Sequence, residues 1–500
     1  MIMDQFPGLI VAIPLLLSLF IILFGLINRK FCYPIVLIAI SSCIVFAVGL
    51  LNKVISSGKV IHYYMGGWDP PWGIELVVDH LTAFMLVIVT IVSLIVAIYS
   101  KRSVEKELPG KELPFYVLFL LLITGLIGTV ITGDLFNVFV LLEITALSCY
   151  SLIAMGRDGA PIATFKYIVM GTIGASFYLL GVGYLYLSTG SLNMGDVSQL
   201  LPELYQSKAV MTAGVFMLVG IALKMAIYPL HAWAPNAYSN APSSVSSLVA
   251  PLMTKVAAYL MIRVMYTIFG AEFSIEVIPA TAILSWMGAI AVILGSIYAI
   301  SQSDLKRMLS YSIIAQIGYI AIGIGLANKS GLTGAVLHIL NEAFTKGCVF
   351  MVAGAIMYKL GGCQIDSFKN LYRKMPFTMT AFVLAAFSMV GIPPTCGFFS
   401  KLYLILGSVD AGQWVFVAVL LFSSILNVVY FFRVIQIATF ETPMPDYGRD
   451  KPYDLIDMDE VPMSMLVPII LSALGILVCG LLSSDIISIV IKEVIPMSFF

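Results

Sequence analysis

The segment KMAIYPLHAWAPNAYSNAPSSVSSLVAPLMTKVAAYLMIR, residues 224–263, combines the apolar runs of membrane-spanning helices with two features that lipid does not tolerate. Lys224 and Lys255 lie inside the apolar runs, where a charged side chain costs roughly 2.5–3.5 kcal/mol on insertion scales. Pro229 and Pro235 follow Lys224, and proline removes a backbone donor and clashes with the preceding turn. Because freed carbonyl groups inside a membrane must face protein or water, the segment predicts a broken helix beside a buried charge.

The composition of the whole chain agrees with a polytopic membrane protein. Of its 500 residues, 60% are hydrophobic and 11% are charged, whereas soluble domains carry about 25% charged residues. The formal net charge is zero, which does not favour nucleic-acid binding. The seven cysteines form no CxxC pair and the four histidines show no metal-binding spacing, so we predict neither disulfides, nor a metal site, nor a cofactor site.

Apolar stretches of about 18 or more residues mark candidate membrane spans. Fourteen such stretches predict an all-α protein with about fourteen transmembrane helices: 7–27, 32–52, 76–100, 114–132, 135–156, 161–189, 210–230, 243–266, 277–300, 305–327, 331–358, 376–407, 412–437 and 462–483. The polar segment 441–461 between the last two stretches is acidic, and it is interpreted either as a solvated connection or as a docking surface for a basic partner.

The distribution of lysine and arginine predicts the orientation. Odd-numbered loops hold 16 of these residues, while even-numbered loops and the termini hold 6. Since cytoplasmic loops carry the excess of positive charge, both termini are expected on the outer side, with the first helix retained. The remaining five lysines lie inside spans: Lys166, Lys224, Lys255, Lys346 and Lys401.

A second interruption precedes another lysine. Span 12 carries Pro393 and Pro394 shortly before Lys401. Two interrupted helices in separate halves of the chain, each with a lysine near its break, are typical of transporters built from inverted repeats. The alternative interpretation is a pair of simple packing kinks.

Two further groups of charges complete the pattern. His338, Glu342 and Lys346 recur every four residues in span 11 and so line one helical face. They predict a proton relay, with an internal ion pair between Glu342 and Lys346 as the alternative. Glu143 in span 5 has no charged neighbour in sequence, so its partner must come from another helix; Lys224 is the expected one. This pair is interpreted as a switch of the lysine's charge, or alternatively as a static structural ion pair.

Segment 224–263 resembles the signature of antiporter-like membrane subunits, which occur in Mrp-type cation/proton antiporters, respiratory complex I and membrane-bound hydrogenases. Three more blocks match that family: SQSDLKRMLSYSIIAQIGYI (301–320), HILNEAFTKG (338–347) and GIPPTCGFFSKLYLI (391–405). Within the family, residues 165–199 look most like the D-type membrane protein of the Mrp antiporters, and the hydrogenase relatives look similar.

The resemblance implies two inverted five-helix repeats with broken helices 7 and 12. It divides the chain into helices 1–3 (1–110), a first repeat (111–270), a second repeat (271–440), and a last part with the acidic loop and helix 14 (441–500). It implies other membrane subunits as partners, contact with membrane lipid, and a location in the plasma membrane of a prokaryote.

The resemblance also assigns roles. The implied proton path comprises Glu143, Lys224, Lys255, His338, Lys346 and Lys401, with His231, Glu342, Pro229 and Pro394 in gating or supporting positions. The expected function is a proton-translocating subunit of a sodium/proton antiporter, and the alternative is a proton-pumping subunit of a redox-driven complex whose redox cofactors lie in partner chains. The chain departs from the family at Glu342, where many relatives have histidine or a neutral residue, and at Ala234, where leucine is common.

Overall fold

The computed structural model describes residues 3–156, 159–440 and 458–494. Its first part consists of helices and one antiparallel pair of strands. In chain order these are α1 Phe6–Ile27, α2 Cys32–Ser57, β1 Ile61–Tyr64, β2 Glu75–Val78, α3 His80–Glu107, α4 Glu112–Ile131, α5 Leu135–Ala154, α6 Ala160–Thr189, α7 Met194–Leu200, α8 Lys208–Met225, α9 Ala234–Asn240 and α10 Ser243–Ile262.

The second part is mainly helical, with one isolated bridge between Asp304 and Gln364 among its described residues. The chain continues from α10 through a π-helical turn, Arg263–Ile268. It then forms α11 Gly270–Glu272, α12 Ala280–Ile300, α13 Leu305–Gly325, α14 Lys329–Leu360, α15 Leu371–Lys374, α16 Pro376–Val390, α17 Cys396–Asp410, α18 Trp414–Phe440, α19 Met463–Leu481 and α20 Ser483–Ile489.

The predicted all-α membrane fold is confirmed. Within the described residues, 13 helices are long and apolar enough to cross a membrane. The twelfth predicted span, 376–407, is divided between α16 and α17. Most residues of α10, α13 and α14 are buried, so these three helices form the interior of the bundle.

The start of predicted span 3 was wrong. Residues 76–78 belong to β2, which pairs with β1 in the register Ile61 opposite Val78 and Tyr64 opposite Glu75. The helix begins only after Asp79, whose carboxylate accepts a hydrogen bond from the backbone of Thr82 and so caps α3. Hydropathy misses this boundary because a short apolar strand has the same composition as a helical turn. The membrane face that carries the strands is called the hairpin face below.

The first predicted break is real. Helix α8 ends at Met225, and Ala226 takes a left-handed conformation with φ of 57°. The break leaves carbonyl groups of the last turn without helical partners. The indole Nε1 of Trp233 donates to the carbonyl of Leu223 at 3.1 Å. The indole thus supplies a donor for one carbonyl group at the end of α8, a role that Lys224 does not take.

The second break is satisfied differently. Helix α16 ends at Val390, and Gly391 has a φ of 94° that favours glycine. The ammonium of Lys401 donates to the carbonyl of Met389 at 2.6 Å and to that of Val390 at 3.2 Å. Here the lysine of α17 itself is the partner of the freed carbonyl groups.

The acidic segment 441–461 lies mostly outside the described residues. Two of its acids are placed, and both bind this chain. Asp459 forms an ion pair with Lys359, and Glu460 accepts hydrogen bonds from the backbone of Phe377 and the side chain of Thr378 at the start of α16. These two acids therefore fasten the end of the segment to the bundle.

Candidate functional site

Glu143 and Lys224 are neighbours, as their isolation in sequence predicted. Lys224 Nζ lies 3.7 Å from Glu143 Oε1. The lysine is 9% exposed, while the glutamate side chain is 27% exposed on the outer surface of α5. Neither of the two atoms has a hydrogen-bond partner among the described residues. The pair is therefore a charge contact that is held by few other bonds, which leaves both groups able to change partner.

Lys255 and Glu342 form the second charge pair, and both are fully buried. The separation between Lys255 Nζ and Glu342 Oε2 is 3.7 Å, and the two side chains are 1% and 0% exposed. Lys255 also donates to the carbonyl of Ala250 at 3.0 Å. Neither oxygen of Glu342 has a hydrogen-bond partner among the described residues. A buried carboxylate without hydrogen bonds is costly, so water inside the bundle is expected to solvate it.

Within the described residues, Glu342 and Lys346 form no close ion pair, although the charge of Glu342 still acts on Lys346. Lys346 Nζ donates to Ser312 Oγ of α13 at 2.6 Å, while Glu342 turns toward α10. Helical spacing places the two residues on one face, but each side chain reaches a different neighbouring helix. The carboxylate therefore links α14 to α10 rather than stabilising α14 alone.

His338 lies one turn before Glu342 on α14 and is buried. Its Nε2 is 3.0 Å from Gln316 Oε1 of α13, and its Nδ1 is 2.9 Å from Ser400 Oγ of α17. Both ring nitrogens thus contact groups that exchange hydrogen bonds. The imidazole therefore joins α14 to α13 and to α17.

Lys401 lies at the far end of this arrangement. Its ammonium stands 4.8 Å from the ring centre of Tyr319, and that ring is 5.4 Å from the imidazole of His338. A hydrogen bond to Ser424 Oγ at 3.2 Å adds a partner on α18. Lys255 thus contacts Glu342, and His338 contacts Tyr319, which in turn contacts Lys401. Glu342 and His338 are one helical turn apart on α14 and connect the two parts of this series.

The remaining predicted residues lie at the breaks. Pro229 and His231 stand between α8 and α9, where the imidazole stacks on Tyr228 at 5.3 Å. Pro394 stands between α16 and α17. These three residues shape the interruptions, and the structure does not bring the imidazole of His231 into the series described above.

Sequence reasoning missed four polar groups that hold the site together: Ser312, Gln316, Tyr319 and Ser400. Ser312 and Gln316 are spaced four residues apart in the apolar run of α13, which puts them on one face toward α14. That spacing was a usable signal. Uncharged polar residues are common in membrane helices, so the signal becomes specific only beside charged partners.

The site offers amines, carboxylates and an imidazole, all of which can take up and release protons. Within residues 3–156, 159–440 and 458–494, no three His, Cys, Asp or Glu side chains converge as metal ligands would. Three buried lysines face a single buried carboxylate on this side of the bundle. One carboxylate neutralises one ammonium at a time, so the charge distribution has several alternative arrangements.

Residues 132–427 match the family described as NADH:quinone oxidoreductase/Mrp antiporter, TM. Residues 64–102 match the N-terminal family of chain 5 of complex I.

Three relatives are similar along nearly their whole length. NADH-quinone oxidoreductase subunit N of Desulforudis audaxviator is 44% identical over 498 residues, which cover 98% of both chains. The D-type protein of the Na(+)/H(+) antiporter of Bacillus subtilis is 31% identical over 457 residues, or 90% of both chains. A chain in the solved structure of an archaeal membrane-bound sulfane sulfur reductase superposes with a TM-score of 0.90 at 32% identity, covering 99% of this chain and 98% of that one.

Proposed function

The chain belongs to the NADH:quinone oxidoreductase/Mrp antiporter transmembrane family, and from that membership we propose that it is the proton-translocating subunit of a multisubunit monovalent cation/proton antiporter. The observation that carries the proposal is the series of buried amines and carboxylates at mid-membrane. Ionisable groups at this depth are costly and mark ion or proton pathways. Protons, with sodium as the counter-ion, are the proposed substrates.

The proposed path runs along the central helices. Protons reach Lys255, pass by way of His338 and Lys346 to Lys401, and leave on the opposite side. Three contacts support the positions of Lys255, His338 and Lys401 in this order: Lys255 with Glu342 at 3.7 Å, His338 with Tyr319 at 5.4 Å, and Tyr319 with Lys401 at 4.8 Å. The Glu143–Lys224 pair gates the path or transmits charge to a neighbouring subunit, and the partial exposure of Glu143 on the surface of α5 supports contact with another chain.

The proposal includes the orientation of the chain in the membrane, its two repeats and its neighbours. Both termini lie outside a prokaryotic plasma membrane, because 16 positive residues in odd loops outweigh 6 elsewhere; the hairpin face is then the outer face. Residues 111–270 and 271–440 are proposed as the two inverted repeats. The broken helices α8–α9 and α16–α17 hold corresponding places in them. Other membrane subunits and lipid cover the apolar sides of the helix bundle.

The test is sodium-dependent proton movement in membrane vesicles that carry the whole complex. Wild type is compared with Lys224→Ala and Glu143→Gln, and with Lys208→Ala as a control, because Lys208 begins the same helix at the hairpin face. Exchange without an electron donor that both site variants lose would support the antiporter. Normal exchange in both variants would exclude the proposed role of the pair.

A second candidate function has a specific observation in its favour. The relative with 44% identity is named as a subunit of NADH-quinone oxidoreductase, whereas the antiporter relative is 31% identical. In this alternative the chain is a proton-pumping subunit of a redox-driven complex, and the redox cofactors belong to partner chains. Proton movement that requires oxidation of NADH, hydrogen or ferredoxin, and is lost in Lys224→Ala, would favour it.

A further inference from the structure

A polar cavity of about 140 Å³ opens at the hairpin face between α3, α4 and α10. Its lining includes Glu75, Asp79, Thr129, Tyr259 and Arg263. Arg263 forms an ion pair with Asp79 and donates from Nε to the hydroxyl of Tyr259 at 3.0 Å. Burial raises the pKa of Asp79, but the charge and hydrogen bonds of Arg263 outweigh it and lower the pKa to about 2. The cavity wall therefore stays charged and attracts water.

Two small cavities lie against Lys224, and each shares a residue with this polar cavity. One, of about 20 Å³, is lined by Thr129, Thr145 and Lys224 among others, and Thr129 also lines the large cavity. The other, of about 10 Å³, touches Lys224 and shares Leu260. Between Lys224 and the hairpin face there is thus a small cavity and a larger one, which have Thr129 as a common wall residue.

The 20 Å³ cavity has the size and the polar groups for one water molecule. A site needs roughly 10–15 Å³ of this kind and two to four polar partners to hold a water. Thr129 Oγ1 donates to the carbonyl of Gly125 and Thr145 Oγ1 donates to that of Leu141, both at 2.8 Å. Each hydroxyl keeps acceptor lone pairs, and the ammonium of Lys224 supplies donors.

The two threonines are held side by side by a glycine. A Cβ on Gly125 would stand 2.2 Å from Thr145 Oγ1. Helices α4 and α5 therefore approach closely at this point, and the carbonyl that binds Thr129 belongs to the residue that Thr145 touches. The close approach brings two hydroxyl groups of different helices to one cavity beside one buried lysine.

The lack of hydrogen-bond partners around the ammonium of Lys224 supports the same route. Its Nζ has no hydrogen-bond partner among the described residues, and the carbonyl of Leu223 at the break already accepts from Trp233 and from the backbone of Ala226. Glu143, at 3.7 Å, is its ionic partner. An ammonium of which nine-tenths is buried needs further acceptors, and water in the 20 Å³ cavity supplies them.

We propose that Lys224 exchanges protons with the hairpin face through water held by Thr145 and Thr129, with the cavity at Asp79 and Arg263 as the mouth of this route. The inference deepens the proposed function, on which it rests: it gives the first repeat its own access to the face that is outer in the proposed orientation. Thr129 and Thr145 are positioning residues, because they hold the water and do not titrate themselves.

The first experiment removes one hydroxyl at a time. Thr129→Val and Thr145→Val keep the side-chain shape, and Thr124→Val is the matched control, since Thr124 lies on α4, is buried and makes the same bond to the carbonyl four residues earlier. Cation-dependent proton movement is expected to fall about tenfold or more in the first two variants and to stay near wild type in the third. Thr129→Ser, which retains the hydroxyl, should restore it.

The second experiment tests access without relying on activity. Thr129→Cys and Thr124→Cys are treated with a membrane-impermeant trimethylammonium thiosulfonate, against the wild-type background of native cysteines. Trp72→Cys, at a side chain that is 88% exposed beyond β1, marks the hairpin face. Labelling of Thr129→Cys from the face that labels Trp72→Cys, with Thr124→Cys unlabelled, would support the route.

Two results would overturn the route. One is a Thr129→Val activity equal to that of Thr124→Val, and the other is a Thr129→Cys that resists labelling from the hairpin face. The route and the proposed function fail separately. If Lys224→Ala abolishes exchange while the valine variants are normal, the function stands and the route is wrong. If Lys224→Ala is normal, the function is wrong whatever the labelling shows.

Discussion

Glu342 on α14 lies 3.7 Å from Lys255 on α10, and both side chains are completely buried. The contact crosses between helices that the two halves of the chain contribute. Removing one member of such a pair leaves an uncompensated buried charge, which costs about 3–5 kcal/mol. Neither oxygen of Glu342 is hydrogen-bonded within the described residues, so the carboxylate is free to turn among the lysines around it.

Glu342→Gln should abolish most cation-coupled proton movement. The amide cannot accept a proton from Lys255. Loss of a proton-transferring group typically lowers rates by about 100-fold or more. The measurement is the initial rate of sodium-dependent proton movement in vesicles, normalised to the amount of assembled complex.

Glu203→Gln serves as the control for that change, because Glu203 is an exposed acid between α7 and α8. A rate in Glu342→Gln equal to that of the control would mean that the carboxylate only balances charge during folding.

Trp233→Phe should weaken exchange through Lys224. Without the indole donor, the carbonyl of Leu223 loses a hydrogen bond worth about 0.5–1.5 kcal/mol and keeps the one from the backbone N–H of Ala226 at 3.1 Å. The ammonium of Lys224 is then expected to donate to the carbonyl of Leu223, as the ammonium of Lys401 donates to the carbonyl of Met389 at the second break. Vesicle exchange should fall severalfold, while Trp286→Phe, at a half-exposed residue of α12, should leave it unchanged. Equal rates in the two variants would contradict this account.

Ser312→Ala should impair the path at Lys346. The serine is the hydrogen-bond partner of that ammonium at 2.6 Å, and a lost bond to a charged group is worth about 1.5–3 kcal/mol. The expected result is a clear loss of exchange with normal assembly. Ser310→Ala on the same helix is the matched control, because its hydroxyl bonds to the backbone of Lys306 and not to a charged side chain of the described residues. Similar losses in both would indicate a general effect on α13.

The ion pair of Asp79 with Arg263 predicts a pH dependence of stability. The pKa of Asp79 falls from 3.8 to about 2 on folding. The ionised carboxylate therefore contributes about 2 kcal/mol to the free energy of unfolding above pH 4, and this contribution is lost as the pH drops toward 2. Asp79→Asn should therefore lower the thermal midpoint of the detergent-solubilised complex at pH 7, and the difference from wild type should shrink at pH 3.

Asp134→Asn gives the opposite expectation in the same assay. Asp134 caps α5 at the same face, but burial raises its pKa. Its ionised form is therefore disfavoured by folding, and the substitution should not destabilise the protein at pH 7 relative to acidic pH. A loss at neutral pH as large as that of Asp79→Asn would mean that capping, rather than the ion pair, dominates both sites.

Several features of the site were predictable because a buried charge needs a partner of opposite charge. Glu143 stands alone in an apolar helix, so only a lysine of another helix could compensate it, and Lys224 does so at 3.7 Å. The breaks of helices 7 and 12 followed from their prolines. The roles of the ten predicted site residues in transport stay predictions until exchange is measured.

Other features escaped prediction because they depend on which way a side chain turns. Helical spacing put Glu342 and Lys346 on one face, but it could not show that the glutamate reaches α10 and the lysine reaches α13. The strand at 75–78 escaped because apolar composition alone does not separate a strand from a helical turn.

The sequence by itself determined the membrane class, the number of spans, the two breaks and the set of charges that lipid excludes, because each depends on local composition and on the cost of transferring charge into hydrocarbon. Only the tertiary structure decided the partners. It paired Lys255 with Glu342, gave the carbonyl of Leu223 to Trp233, and placed Thr129 and Thr145 beside Lys224. Such contacts join residues far apart in the chain, and they follow from how neighbouring helices pack rather than from any local pattern.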